Sequence, residues 1–202
     1  MTVLNTSQGL LVHSPVALDD DLQQKIKQLS VDVAIIVAPN YEHLKFTKAW
    51  ADAYPNAKVV GCPGVTPRLE GVRVDAELAS SEPPPTFWPA EVKYVVFDDV
   101  EVNPFTSKPF FNEVCLVAYD TLITADLFWN YPDSVPWKTR AWKFGMDQVY
   151  LPFYRELMVG SARRDALRAK VEQLGEFACI VPCHGDIVTS NGAYVLRTHL
   201  NL

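Results

Sequence analysis

The sequence predicts an α/β protein built as a four-layer αββα sandwich, and two patterns lead to that prediction. Apolar runs of strand length alternate with amphipathic helical segments in both halves of the chain. The chain is also predicted to end in a strand, a turn and a further strand. Its 202 residues, 49% of them hydrophobic, suffice for one large core but not comfortably for two. We therefore expect residues 1–202 to form a single domain.

The first half of the chain has the pattern of a parallel βαβ unit with one strand before it. Leu10–Val12 is a short predicted strand, and Asp19–Asp21 offer capping carboxylates to a helix. The continuous apolar run Val33–Ala38 is typical of a strand buried on both faces. A helix from about Glu42 and a strand at Ala57–Gly61 complete the unit, and its two strands should be parallel.

The second half is predicted to supply four more strands and a long helical region. The strands are expected at Val92–Phe97, Val114–Tyr119, Leu122–Thr124 and Phe177–Val181. A helix is expected at Ala162–Leu174. An aromatic-rich segment at about 129–158 is predicted to be helical from Trp137 onward. We expect its aromatic side chains to point mainly inward, near the mouth of a polar site that needs low-dielectric walls.

Charge and composition narrow the classes of partner. With 18 basic and 24 acidic residues the chain has a formal charge of −6, and it lacks the basic stripe that nucleic-acid binding requires. No segment approaches the ~18 apolar residues that span a bilayer, and the N-terminus does not have the pattern of a secretion signal. The four cysteines include no CxxC pair. We expect a cytoplasmic protein that binds a small molecule, and the sequence leaves its oligomeric state open.

Polar groups able to bind a metal follow three of the predicted buried strands. Asn40, Glu42 and His43 follow the strand Val33–Ala38. Asp126 follows Leu122–Thr124, and His184 and Asp186 follow Phe177–Val181. In layered α/β proteins, ligands collect at the carboxyl ends of strands. If the three strands share a direction, these side chains should converge on one site.

The motifs that contain these residues resemble, in their order, the metallo-β-lactamase-like superfamily of metallo-hydrolases and oxidoreductases. The motifs are VHSP, NYEH, FNEV, LITADLFWN and IVPCHGD, within about Leu11 to Val195. They are also similar to a branch of that superfamily classed as a domain of unknown function. The resemblance implies an αββα sandwich of metallo-β-lactamase type and a metal-dependent hydrolase, with an iron oxidoreductase as a variant.

Departures from the superfamily pattern imply a reduced metal site. Two histidines of the superfamily's first loop fall on Ala38 and Asn40, and its mid-chain histidine falls at best on Glu113. The ligands that the resemblance leaves are Glu42, His43, Asp126 and His184. Two carboxylates and two imidazoles suit Zn²⁺, Fe²⁺ or Mn²⁺. We therefore expect a mononuclear site with at most one tightly bound divalent ion.

Other polar residues are expected to support this site. Asn40 or Glu113 would orient the substrate or carry a proton as catalytic groups. Asp186 would hold His184 through a hydrogen bond or cap a turn, and His13 is either a core histidine or a further residue that supports the site.

Two further expectations concern the reactivity of Cys183 and an alternative function without catalysis. Cys183 should be buried rather than reactive, because neighbours along a strand point to opposite faces. The loss of imidazoles also supports an alternative function, in which the protein is a non-catalytic metal- or ligand-binding descendant of the fold. Whether it is an enzyme is left open by the sequence.

Overall fold

The computed structural model describes residues 1–132, 134 and 136–202. The first of its two β-sheets comes from the N-terminal half of the chain. Its strands, in spatial order, are β1 (Thr2–Thr6), β2 (Gly9–His13), β3 (Val33–Ala38), β4 (Lys58–Gly61) and β5 (Ala76–Glu77). β1 is antiparallel to β2, and the remaining neighbours are parallel. The predicted parallel pairing of β3 with β4 is therefore confirmed.

The second sheet comes from the C-terminal half. Its strands, in spatial order, are β6 (Val92–Phe97), β7 (Glu113–Ala118), β8 (Thr121–Thr124) and β9 (Cys179–Pro182). β6, β7 and β8 are antiparallel neighbours, whereas β8 and β9 are parallel. The parallel pair places the ends of β8 and β9 side by side.

Helices flank the two sheets. They are α1 (Asp20–Gln28), α2 (Thr47–Ala53), α3 (Trp137–Gly145), α4 (Leu151–Phe153), α5 (Gly160–Leu174) and α6 (Gly192–Leu200). π-helical turns at Met146–Tyr150 and Tyr154–Val159 join α3, α4 and α5 on either side of Pro152, which cannot donate the usual backbone hydrogen bond. Within the described part of the chain, no helix has both the length and the apolar character needed to cross a bilayer.

Three buried clusters show that the layers are stacked in the order helix, sheet, sheet, helix. One cluster joins the outer face of the first sheet to α1 and α2 through residues such as Ile36, Ile26 and Trp50. The second lies between the sheets and contains Ile35 from β3. The third packs the second sheet against α5 and α6. Because side chains alternate along a strand, Ile35 and Ile36 serve different layers. The predicted four-layer αββα architecture is confirmed.

Two predicted boundaries differ from the structure. α2 begins at Thr47 rather than near Glu42, because the Asn40 side chain accepts the backbone N–H groups of Glu42 and His43 and holds a turn there. The chain also ends in α6 rather than in a strand. After β9, only an isolated bridge between Ile180 and Val188 continues the pairing.

The aromatic-rich segment differs from its prediction in part. Trp129 and Tyr154 are buried, as expected. Trp137, Trp142 and Phe144 are instead 68%, 60% and 66% exposed. The helix α3 that carries these three side chains buries none of its residues, so it packs too loosely on the rest of the protein to cover them.

His199 on α6 is part of the core. Its ring packs against those of Phe128 and Trp129, with centroids 4.9 and 4.6 Å away. Its Nε2 atom is buried and has no hydrogen-bond partner among the residues that the structure describes. Burial, helped by the Arg155 guanidinium, lowers the pKa of His199 from 6.5 to about 4. The imidazole is therefore neutral in the folded protein at neutral pH.

We expect His199 to weaken the fold in mild acid. The unfolded chain takes up a proton at the ordinary pKa of 6.5, whereas the folded chain resists protonation down to about 4. The contribution of the neutral ring is therefore complete above pH 6.5 and is lost as the pH falls towards 4, by up to about 3 kcal/mol. Urea unfolding of the wild type and of His199→Phe at pH 7 and pH 4 gives the loss of unfolding free energy in acid. The variant is a suitable comparison because it keeps a ring at this position that does not titrate. An equal pH dependence of the unfolding free energy in both proteins would contradict this role of His199.

Candidate metal centre

The candidate metal centre lies where strands of both sheets end. His43 lies in the turn after β3, Asp126 follows β8 by two residues, and His184 follows β9 by two residues. The two sheets are tied together at this edge, since the Val114 N–H donates to the Pro39 carbonyl at 2.8 Å. The convergence of strand ends expected from the sequence is therefore observed for these three residues.

His43, Asp126 and His184 form the one metal-ligand group found among the described residues, with donor atoms that all lie within 4.8 Å of one another. His43 Nε2 is 3.1 Å from Asp126 Oδ2, and His184 Nε2 is 3.1 Å from Asp126 Oδ1. The two Nε2 atoms are 3.3 Å apart. Two ring nitrogens and a carboxylate that converge so closely can share a proton or a bound cation.

The donor set fits a divalent transition-metal ion. Catalytic zinc sites commonly use three protein ligands, such as two histidines and a carboxylate, and leave a further position open. The side chains of His43 and Asp126 are each 16% exposed, whereas that of His184 is 39% exposed. A bound ion would therefore be reached from solvent on the side of His184.

Electrostatics at the centre favour a cation. Burial lowers the pKa of His43, but the Asp126 carboxylate and the Cys183 thiol outweigh burial and raise that pKa to about 10. Burial raises the pKa of Asp126, but hydrogen bonds with His184 and His43 hold it well below its usual range. A proton on His43 thus occupies the charge position that a metal ion would take, and metal binding would displace it.

Asn40 positions both His43 and Asp126. Its side-chain oxygen accepts the backbone N–H of His43 at 3.0 Å, and its Nδ2 donates to Asp126 Oδ2 at 2.7 Å. Nδ2 also donates to Glu113 Oε2 at 3.2 Å. The amide is buried, and both of its ends are already hydrogen-bonded. The structure gives Asn40 a positioning role, and the catalytic role expected from the sequence stays a prediction.

Glu113 holds the chain segment that carries Asp126. The carboxylate is 2% exposed and accepts the N–H groups of Ala125, Asp126 and Leu127 at 2.7 to 2.9 Å. It also accepts the Thr124 hydroxyl at 2.6 Å. A carboxylate has about four lone-pair sites, and these donors use them. These hydrogen bonds give Glu113 a supporting role, and the catalytic role expected from the sequence stays a prediction.

The structure does not bring Glu42 into the metal-ligand group. Within the described residues the group contains His43, Asp126 and His184, and the Glu42 side chain is exposed. The reason is local, because Asn40 caps the turn and holds the Glu42 backbone without directing its side chain inward. A ligand role for Glu42 stays a prediction.

Asp186 supports the centre through its backbone. Its N–H donates to the Asn130 carbonyl at 2.7 Å, while its side chain is exposed and makes no hydrogen bond to His184 within the described part of the chain. The predicted contact between these two side chains is therefore replaced by a loop contact. Gly185 is essential to that contact, since a Cβ there would lie 2.1 Å from the Asn130 oxygen.

His13 takes the first of its two expected roles, that of a core histidine, while Ser14, for which the sequence suggested no role, contacts His43. His13 is fully buried, with Nε2 3.4 Å from the Val114 carbonyl, so it is a core residue beside the centre. Ser14 Oγ lies 2.5 Å from His43 Nδ1. Ser14 follows β2, whose carboxyl end lies beside that of β3, and this parallel pairing is the signal by which the sequence could have identified it.

Cys183 is closer to the centre than predicted. β9 ends at Pro182, so the strand alternation that was expected to turn Cys183 away does not extend to it. Its thiol contacts His13 and His43. Burial raises the pKa of Cys183, but these two imidazoles lower it to about 5. The argument from strand alternation therefore fails for Cys183, and its expected lack of reactivity stays a prediction.

An aromatic side chain borders the open side of the centre. The Tyr131 ring stacks on His184 with centroids 6.4 Å apart and an interplanar angle of 29°. Trp142 Nε1 donates to the Tyr131 hydroxyl at 3.3 Å. The start of the aromatic-rich segment thus lies at the mouth of the site, as the sequence predicted.

Comparisons with known proteins identify the fold. No protein-family model and no curated protein matches the chain. A crystal structure of DIM-1 metallo-β-lactamase is similar over 99% of this chain and 84% of its own, with a TM-score of 0.59 and 12% identity. FIM-1 metallo-β-lactamase from Pseudomonas aeruginosa, in its mono-zinc form, matches over 98% of this chain and 80% of its own, with a TM-score of 0.55 and 14% identity.

A further similar structure comes from another kind of protein. The metal-soaked Flv1 flavodiiron core from Synechocystis sp. PCC6803 matches 98% of this chain with a TM-score of 0.61 and 14% identity. This chain covers 50% of that one. At these identities the likeness concerns the fold alone. The resemblance to the metallo-β-lactamase-like superfamily that the sequence motifs suggested is confirmed at that level.

Proposed function

We propose that this chain, with its metallo-β-lactamase fold, is a cytoplasmic metal-dependent hydrolase that binds one divalent ion, Zn²⁺, Fe²⁺ or Mn²⁺, and acts on a small molecule. The observation that carries the proposal is the convergence of His43, Asp126 and His184 within 4.8 Å. The match to a mono-zinc metallo-β-lactamase supports it, because that structure shows the same fold with one zinc ion.

A bound divalent ion would lower the pKa of a water molecule towards ~7 and polarise a carbonyl or phosphoryl oxygen. The chain's own groups would do the rest. His43 and Asp126 lie on the buried side and exclude water there, while the exposed side of His184 admits the substrate. Tyr131 beside His184 offers an aromatic surface for an apolar part of that substrate.

The positions around the centre support a single ion. Ala38 and Asn40 stand where the superfamily pattern has imidazoles, and Ala38 has no donor atom. The Asn40 amide is already hydrogen-bonded at both ends. Glu113 likewise has its lone pairs occupied. A second ion would therefore find no free set of ligands on that side.

Ser14 should increase metal affinity by orienting His43. When Ser14 Oγ accepts a hydrogen bond from the Nδ1–H of the neutral ring at 2.5 Å, the lone pair of Nε2 faces Asp126 and is free to bind a metal ion. We expect Ser14→Ala to weaken metal binding about 10- to 100-fold, the usual cost of losing a residue that orients a ligand. Isothermal titration with Zn²⁺ measures the change. The Ser7→Ala variant is a control at an exposed serine, and equal affinity in both variants would contradict the role of Ser14.

Hydrolysis is tested with the metal-loaded and metal-stripped protein on chromogenic carboxylic esters, thioesters, β-lactams and phosphodiesters. The proposal predicts turnover of at least one class that requires the metal and disappears in Asp126→Asn. Metal binding without turnover of any class would favour the alternative, a non-catalytic metal- or ligand-binding descendant of the fold. The specific observation behind that alternative is the loss of imidazoles at positions 38 and 40.

A further inference from the structure

A cavity of about 540 Å³ lies beside β6, and it shares no residue with the metal centre. The segment 79–90 forms its other side and contacts β6 at two points. Ser80 Oγ donates to the Val96 carbonyl at 3.3 Å, and Trp88 Nε1 donates to the Val92 carbonyl at 2.6 Å. Between these two contacts the cavity reaches Tyr94. The segment thus closes the edge of β6 at both ends and leaves its middle open.

The backbone of Tyr94 points into this opening. In an antiparallel pair, residues alternate between those that exchange hydrogen bonds with the partner strand and those that do not. Val96 lies opposite Val114 of β7. The Val114 N–H donates to the Pro39 carbonyl and not to Val96, so these two residues do not exchange hydrogen bonds. Tyr94, two residues earlier in β6, likewise exchanges no hydrogen bonds with β7, so its N–H and carbonyl point away from that strand. Neither group has a partner within residues 1–132, 134 and 136–202.

The walls of the cavity are aromatic and include one carboxylate, that of Glu82, near the Tyr94 hydroxyl. The rings of Trp88 and Tyr94 meet edge to face, with centroids 5.3 Å apart. Burial raises the pKa of the Tyr94 hydroxyl, and the nearby Glu82 carboxylate raises it further. The cation in the lining, Lys93, donates to the Gln173 carbonyl. Glu82 is exposed and has no ion pair in the described part of the chain.

We propose that this cavity binds a short extended peptide segment that presents an arginine. The arginine residue would pair with Tyr94 as an additional antiparallel strand and exchange both backbone hydrogen bonds with it. Side chains opposite each other in such a pair share a face. The guanidinium would therefore lie against the Trp88 and Tyr94 rings and reach the Glu82 carboxylate. The contacts at Val92 and Val96 limit the bound segment to about three residues, given the ~3.4 Å rise per residue of a strand.

The test is a titration of ¹⁵N-labelled full-length protein with the peptide acetyl-Val-Arg-Val-amide, followed through the Tyr94 amide signal. We expect a saturable shift at Tyr94 and slower hydrogen exchange of its amide on binding. A matched peptide with an N-methyl group on the arginine lacks the backbone donor and should produce no saturable shift. Glu82→Gln should weaken binding of the first peptide about two- to fivefold, the usual effect of one exposed ion pair.

Each other outcome overturns the proposal. Absence of a Tyr94 shift, or equal binding of the N-methylated peptide, would show that the edge does not pair with a peptide backbone. Slow exchange of the Tyr94 amide in the free protein would show that the edge is already covered. If that protection grows with protein concentration, the occupant is a second copy of this chain. If the Glu82→Gln variant bound the arginine peptide with unchanged affinity, the cavity would not recognise the arginine side chain through Glu82.

Discussion

The His184→Ala variant should lose tight metal binding. Removing one of only two imidazoles leaves Asp126 and His43 as ligands, so the loss should exceed the ~10- to 100-fold cost of losing a residue that only orients a ligand. The side chain of His184 is 39% exposed, so its removal should not unfold the protein. Dialysis against excess Zn²⁺ and then buffer, followed by elemental analysis, measures the bound metal.

Two control variants lie next to the ligands. Cys183→Ala removes the thiol adjacent to His184, and Glu42→Gln removes the carboxylate adjacent to His43. Because neither side chain belongs to the group of converging donor atoms in the described residues, both variants should retain the metal. Full retention in His184→Ala would contradict the site. Loss in Glu42→Gln would show that Glu42 is a ligand, as the sequence suggested.

The Glu113→Ala variant should be destabilised by at least about 3 to 5 kcal/mol. Its carboxylate accepts three backbone N–H groups and a hydroxyl in the protein interior, and removing it leaves these donors without partners. Urea unfolding followed by circular dichroism gives the change in the free energy of unfolding. For a domain of ordinary stability, a loss of this size approaches complete unfolding.

The exposed Glu42 provides the control for this experiment. Glu42→Ala should change the free energy of unfolding by no more than about 0.5 kcal/mol, as is usual for exposed positions. If Glu113→Ala were as stable as wild type and lost only activity, Glu113 would be the catalytic group that the sequence suggested, and our account of its supporting role would be incorrect.

Much of the fold could be predicted from the sequence because its strands are continuous apolar runs. Val33–Ala38 and Val92–Phe97 have the predicted bounds. Asp19 caps α1 as expected, accepting the Leu22 N–H at 2.8 Å. Boundaries set by a side chain were missed, such as the start of α2 after the turn that Asn40 holds.

The metal centre was predictable where it depends on strand ends and unpredictable where it depends on tertiary contacts. His43, Asp126 and His184 each lie within five residues of the end of a buried strand, and the structure brings them together. The contact between Ser14 and His43 joins residues 29 positions apart and uses a positive φ of 55° at Ser14, which the sequence does not reveal. The role of Glu113 likewise depends on the segment 124–127 folding around its carboxylate.

The metal content of the wild-type protein tests the central claim most directly. Purified protein is loaded anaerobically with Zn²⁺, Fe²⁺ or Mn²⁺, dialysed, and analysed for metal per chain. The arrangement of His43, Asp126 and His184 predicts one equivalent of tightly bound ion. Two equivalents would contradict the single site, and none with any of the three metals would contradict the metal centre itself.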